Sequence, residues 1–352
     1  MIEVGGLVDP VEVDFVTASV SQAARGRAEA LVIQLDSGGA VVSGRRLQAL
    51  RSRLVGSGVP VAVWVGPNGA KVGGGALSLV RAASVVGVAP GAHLRGSPAG
   101  AQVVSAATLG DFIVGLDGRP VGGRQLRTAT VVATPGGPRR APVGARFAKL
   151  GLLQRLLHTV VSPSVAYLFL VAGLCLVVFE FFTAGVGMAG AVGAGLLVLA
   201  AYGLAVLPTR PLPLVLVGAG ILGFSIDLQA GAPRTWTVVG LVALAGGSRW
   251  LFSPHPVPLL TLLLVLAGVL VLMLGGMPAM LRARFSTPTV GRESMVGLEG
   301  TATTAVDPEG TVRVREGLWR ARTNRATPIT AGERVRVVAI DGLLLEVEPA
   351  RA

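Results

Sequence analysis

The sequence predicts a multidomain membrane protein: an α/β domain with a largely parallel sheet, an α-helical transmembrane bundle, and a small all-β barrel. The distribution of apolar residues dictates this division. Hydrophobic side chains make up 51% of the 352 residues and charged ones 14%, a balance unlike that of soluble domains. Nearly all of the excess lies between Ser162 and Gly276, so two water-soluble parts flank a lipid-facing one. Before that block, strand-like and helix-like runs alternate. After it come only short runs with a period of two.

The α/β part begins with a strand, Ile2–Val8. In Asp9-Pro10-Val11-Glu12, Asp9 can cap a helix, Pro10 suits its first turn, and Glu12 completes a capping box. Val13, Val16, Val20 and Ala23 then mark one helical face. Ala30–Leu35 reads as a buried strand ending in Asp36-Ser-Gly-Gly39. A second helix places Leu47, Leu50 and Leu54 on one side and stops near Gly56. Val59–Val65 is a third strand and Ser84–Val88 a fourth. This βαβαβ order implies a sheet covered by helices. From Ala99 to Leu150 the pattern weakens. Val114–Val121 suits a small turn or hairpin, and Thr134-Pro-Gly-Gly-Pro138 looks like linker.

Five apolar runs follow, at about Ser164–Phe182, Val186–Leu207, Leu212–Leu228, Thr235–Phe252 and Val257–Leu274. Each approaches the roughly 20 residues that cross a bilayer as a helix. The third, trailed by Asp227, is the weakest. Glu180 is the one acid well within a run, and a bonded packing role is favoured over proton transfer because no acid, histidine or lysine accompanies it. For the same reason, and because no repeat is evident, transport is disfavoured.

Residues 296–349 read as five short strands. Asp307-Pro-Glu-Gly310 suits a turn between Gly300–Val306 and Thr311–Val314, Arg334–Ile340 alternates, and Asp341-Gly342 signals a hairpin. Leu343, Leu345 and Val347 are expected to face inward. The simplest barrel of this size is an OB-fold. Its nine basic residues balance nine acids over residues 290–352, and Trp319 is the sole aromatic of the five strands. A nucleic-acid platform needs stacking rings and a basic groove, so nucleic acid is excluded as partner and Trp319 becomes the docking candidate for a protein.

The net charge of +12 sits mainly in the first half. No acid occurs between Asp117 and Glu180, whereas Arg119, Arg124, Arg127, Arg139, Arg140, Arg146 and Lys149 do. Such a run ahead of a span suits anionic headgroups of a lipid bilayer. It also favours an inside N-terminus, as Arg282, Arg284 and Arg292 favour an inside C-terminus; both hold only for an even number of spans. The first strand starts at about Ile2 with no secretion signal ahead of it, which leaves open an inside domain or a start further upstream. Cys175 is the only cysteine, so an internal disulfide is excluded. His93, His158 and His255 lie far apart and read as structural or interfacial. No metal and no cofactor is expected.

The segment Gly66-Pro-Asn-Gly-Ala-Lys-Val-Gly-Gly-Gly-Ala76 carries the functional question. It follows a strand and opens into Leu77-Ser-Leu-Val-Arg81, a helix start. A strand–turn–helix of this kind can present a nucleophile beside backbone N–H groups that hold an oxyanion.

These residues resemble the NfeD family. Val296-Gly-Leu-Glu-Gly-Thr-Ala, Asp307-Pro-Glu-Gly-Thr-Val-Arg-Val, Leu318-Trp-Arg-Ala-Arg and Ala331-Gly-Glu-Arg-Val-Arg-Val look like its soluble OB domain. Phe179-Glu-Phe-Phe-Thr-Ala-Gly-Val-Gly is similar to the end of its first span. Leu35-Asp-Ser-Gly-Gly, Val63-Trp-Val-Gly-Pro-Asn-Gly-Ala and Val88-Ala-Pro-Gly-Ala resemble the ClpP-class (ClpP/crotonase-like) protease domain of long NfeD forms. The resemblance implies a degenerate α/β domain over 1–133, a basic linker over 134–162, the membrane region of four to five helices over 163–276, a linker over 277–295 and the OB domain over 296–349.

Active long forms use a serine–lysine dyad, and laying Gly69-Ala70 on their motif puts Gly74 at the serine position. The resemblance therefore implies a non-enzymatic scaffold in the cell membrane, its OB domain cytoplasmic, acting with a stomatin-like (SPFH) protein; a homo-oligomer is left open. Gly38, Gly39, Gly73 and Gly74 would form a residual loop that binds peptide backbone. The alternative is a serine endopeptidase using a displaced Ser37 or Ser78 with Lys71, since Lys71 and Lys149 are the only lysines.

Overall fold

The structure is a computed structural model, and it describes residues 1–98, 100–134, 137–183, 187–230, 235–280, 292–323 and 327–350. It separates into two compact units, Met1–Leu281 and Arg282–Ala352.

The first unit opens with β1 (Ile2–Val8), α1 (Pro10–Arg25), β2 (Leu31–Ala40), α2 (Gly44–Val55), β3 (Val61–Val65), β4 (Lys71–Val72), α3 (Leu77–Val80), β5 (Val85–Val88), β6 (His93–Leu94) and β7 (Gln102–Ser105). Five of these strands form a parallel sheet in the order β1-β2-β3-β5-β7. Every residue of β3 is buried, as a central parallel strand requires. Ile33, Leu35 and Val63 pack with α1, α2 and α3 on one face. Trp64, Phe112 and Leu116 form the core on the other. Burying one such side chain contributes about 1.5–3 kcal/mol.

Two elements differ from expectation. β2 does not stop at Leu35 but pairs with β1 through Ala40, with a bulge at Gly6/Leu7. The weak region after residue 99 holds α4 (Leu109–Leu116), whose N-terminus is closed reciprocally by Thr108 and Asp111. Two ribbons follow, β8 (Pro120–Val121) with β9 (Arg124–Gln125) and β10 (Ala129–Thr134) with β11 (Gly137–Pro142). The stretch read as linker thus contains β11 and a further helix, α5 (Leu152–Val160).

Five helices come next: α6 (Pro163–Thr183), α7 (Met188–Val206), α8 (Pro211–Ala230), α9 (Thr235–Trp250) and α10 (Leu259–Val271), the last prolonged by a π turn over Leu272–Gly276. Pro163–Phe182, Met188–Val206 and Leu259–Met280 are long and apolar enough to cross a membrane. The apolar part of α8, Pro211–Asp227, is shorter, and α9 has 16 residues. Glycine brings the helices of each hairpin together. A Cβ on Gly193 would stand 2.9 Å from the Gly173 oxygen, and one on Gly240 2.7 Å from the Gly220 oxygen. Glu180 has the packing role expected of it: its carboxylate accepts the Gly187 and Gly190 N–H groups at 2.8 and 3.2 Å, closing the start of α7. Asp227 does the same for α9 through Trp236 and Thr237. A carboxylate is well placed at a helix N-terminus because it meets unpaired N–H groups and the positive dipole end.

The second unit is a closed barrel of β12 (Glu299–Ala302), β13 (Glu309–Val314), β14 (Gly317–Arg322), β15 (Arg334–Asp341) and β16 (Leu344–Pro349), ordered β12-β13-β14-β16-β15. β14 and β16 run parallel and the other neighbours antiparallel, which is the OB-like connection. The first strand ends at Ala302, earlier than expected, and Val306 makes only an isolated bridge to Ile329. Leu345 and Val347 face the core, whereas Leu343 lies in the hairpin turn and is exposed. The hairpin loop that Asp341-Gly342 signals is Gly342-Leu343, because Asp341 ends its strand paired with Leu344.

Candidate functional site

The glycine segment lies against the extended end of β2. Lys71 N–H donates to Asp36 Oδ1 at 2.8 Å, and β4 pairs with β6. Gly73 N–H donates to the Ser37 oxygen at 3.1 Å. That amide is therefore committed within the chain. The cause is the longer β2, whose carbonyl reaches the loop. The four glycines do come together: a Cβ on Gly74 would stand 3.4 Å from Gly39 Cα and 3.6 Å from the Gly38 oxygen. Gly38 and Gly74 are exposed, Gly39 and Gly73 buried.

Gly74 has φ +54°, the left-handed region that glycine adopts without cost. It begins a 3-10 turn, Gly74–Ala76, leading into α3. Gly75 is held by close approach, since a Cβ there would lie 2.6 Å from that of Ala40. The connection between α9 and α10 brings His255 onto this floor, its ring 3.1–3.2 Å from where a Gly39 Cβ would be.

Neither displaced serine meets Lys71 through its hydroxyl. Ser37 is buried and donates to the Gly39 oxygen at 2.9 Å. Ser78 donates to the Gly75 oxygen at 2.6 Å. Lys71 is exposed, as are Lys149 and His93.

Sequence reasoning missed a second cluster. Asp9 caps α1 as expected, Oδ1 accepting Glu12 N–H at 2.8 Å. Glu12 does not complete the capping box. Its Oε1 instead accepts Gly5 N–H at 3.0 Å and lies 3.6 Å from His158 Nε2. His158 Nδ1 stands 2.8 Å from Asp9 Oδ2. Glu12 is 2% exposed, and among the described residues its Oε2 has no hydrogen-bond partner. Burial pushes the Glu12 carboxyl up to about 8, against the pull of His158 and the Gly5 N–H. The bond to Asp9 raises His158 above its ordinary value. The only sequence signal was Asp9-Pro10-Val11-Glu12, since His158 is 146 residues from Glu12. Among the described residues, no group of three or more His, Cys, Asp or Glu side chains is arranged to hold a metal ion.

In the barrel, Trp319 is half-buried and packs against the core, opposite Val312. Its neighbour Leu318 is the outward, exposed residue. Arg320–Glu309, Arg322–Glu346 and Arg336–Glu348 pair at 2.7–3.0 Å across strands, so the outer charges cancel locally.

Comparison with known proteins decides the family. The model of the NfeD integral membrane domain matches residues 164–281, and that of the NfeD-like C-terminal, partner-binding domain matches residues 292–349, together half of the chain. The chain belongs to the NfeD family. A curated relative, the membrane-bound protease PH1510 of Pyrococcus horikoshii, is 30% identical over 215 residues, 58% of this chain and 49% of its own. This NfeD protein thus spans about half the length of that relative. Two solved structures from the same organism are similar in part. The C-terminal domain of stomatin operon partner protein 1510-C is 46% identical over 18% of this chain and 98% of its own, with a TM-score of 0.17. The 1510-N membrane protease specific for a stomatin homolog is 15% identical over 45% of this chain and 95% of its own, with a TM-score of 0.35.

Proposed function

We propose that this NfeD protein is a multi-pass membrane scaffold that docks a stomatin-like (SPFH) membrane protein through its barrel and does not cleave peptides. The observation that carries it is Gly74: where the resemblance to the ClpP-class domain calls for a nucleophile, the side chain is a hydrogen. The partner-binding description of the matched C-terminal domain supports the docking half. The α/β domain, 1–133 by the sequence reading, keeps an exposed glycine floor at Gly38 and Gly74 that suits the backbone of an extended peptide. The barrel lies on the cytoplasmic side in this reading, on the strength of Arg282, Arg284 and Arg292.

Crosslinking in native membranes tests the docking half. A stomatin-like protein should be recovered with the full chain and lost when residues 296–349 are deleted; recovery indifferent to the deletion refutes it.

One observation favours a second reading, a serine endopeptidase using Ser37 or Ser78: the 30% identical relative is a membrane-bound protease. A fluorophosphonate probe separates the two. The scaffold reading expects no labelling of the purified protein, whereas labelling abolished by Ser78→Ala or Ser37→Ala would establish the protease.

A further inference from the structure

The sequence reading took residues 134–162 for a linker, yet α5 within it has two chemically opposite faces. At about 100° per residue, Leu152, Leu156, Val160, Leu153 and Leu157 share one arc, and His158 lies across the helix from its centre. The contacts show where each face points. His158 turns to the α/β domain and its Asp9. Val160 is buried against the end of α7, its oxygen 2.7 Å from where a Gly203 Cβ would be. From Val160 back toward the helix start the stripe runs into the open. Leu156 is 41%, Leu153 67% and Leu152 86% exposed. Pro163, which begins the span α6, follows three residues after Val160.

This apolar stripe is therefore continuous with the membrane-facing bundle and turned away from the water-soluble domain. Lys149 and Arg155 are exposed beside it, and no acid occurs between Asp117 and Glu180. We propose that α5 is an in-plane anchor in the bilayer interface. Its leucines enter the headgroup–acyl boundary, and Lys149 and Arg155 bind anionic phospholipid headgroups. His158 sets the roll of this helix and so ties the α/β domain to the membrane surface. A second copy is the poorer occupant: a two-fold seam along the leucines would bring Arg155 toward its own equivalent. The anchor does not rest on the scaffold reading.

The test uses the full chain in vesicles of phosphatidylcholine alone or mixed with phosphatidylglycerol. Cys175 is buried, so Leu153→Cys takes a spin label, and Gln154→Cys marks a polar position. In anionic vesicles the label at 153 should collide several-fold more with oxygen, relative to a water-soluble nickel chelate, than the label at 154. That ratio should fall in neutral vesicles, and in the charge-reversed Lys149→Glu/Arg155→Glu protein. A label at 153 open to the chelate in anionic vesicles overturns the proposal. So does shielding indifferent to lipid charge and to the reversal, because a protein then covers the face. Comparing lipids on one labelled protein needs no further variant, so misfolding of the charge-reversed form leaves the test standing.

Discussion

The glycine elbow and the Asp9–Glu12–His158 cluster belong to the same α/β domain, and they differ in what their polar groups are left to do. At the elbow, Ser37, Ser78 and the Gly73 amide are bonded to main chain within the site, and Gly74, where the resemblance to the ClpP-class domain would put a nucleophile, has no side chain. In the cluster, a carboxyl oxygen is buried with no hydrogen-bond partner among the described residues, next to an imidazole bonded to a second carboxylate. The elbow is quiet, and the electrostatic tension lies where the domain meets the helix leading into the membrane. Stored tension locates a coupling point as readily as it locates catalysis.

Asp9→Ala is the strongest way to break the contrast. It removes the cap of α1 and leaves His158 without its carboxylate, at a cost of about 3–4 kcal/mol. Thermal unfolding of the detergent-solubilised protein should show a drop of several degrees. An unchanged midpoint would mean that the cluster holds nothing together.

The second prediction concerns pH. The Glu12 carboxyl is at about 8 in the folded chain, above its unfolded value near 4.5. Between those values the unfolded state releases the proton and the folded state keeps it, so stability falls as pH rises through this window. His158 acts in the same direction, because its contribution is present below about 6.5 and is lost as pH rises through its raised folded value. The wild type should therefore lose on the order of 3 kcal/mol between pH 5 and 8.5. Glu12→Gln, which keeps the shape and cannot ionise, should flatten most of that slope; equal slopes would assign the pH dependence elsewhere.

At the elbow the effects are smaller. Gly74→Ser has room for its Cβ, 3.4 Å from Gly39 Cα, but places an L side chain at positive φ, a cost of about 1 kcal/mol. It should fold and still hydrolyse no peptide, because Lys71 is exposed on β4 and bonded through its main chain to Asp36. Hydrolysis by the variant would show that a working base survives, and that the elbow lacks the hydroxyl alone. Ser78→Ala should be nearly silent, shifting stability by about 1 kcal/mol or less.

Legibility followed the range of the interactions. The strands β1, β2, β3 and β5, the faces of α1 and α2 and the five apolar runs were readable because the periodicity of neighbouring residues announces which side is buried. α4 escaped because its eight residues form barely two turns, and β10 and β11 because both are exposed and carry little alternation. The end of β2 was misplaced at the Ser-Gly-Gly run, a turn signal overridden by pairing with β1. The elbow was legible as a local motif with glycine at position 74, but its spent Gly73 amide was not. Trp319 was picked out as the lone aromatic of the barrel, and its place against Val312 depends on strand pairing.

The sequence alone determined the division into α/β, membrane and barrel parts and the glycine at the elbow, since composition and short-range pattern carry both. Only the tertiary structure decided that Glu12 is sealed beside His158, that His255 lies over Gly39, and that the leucines of α5 face away from the domain. These depend on residues far apart in the chain, and no local pattern encodes which of them share a dry interior.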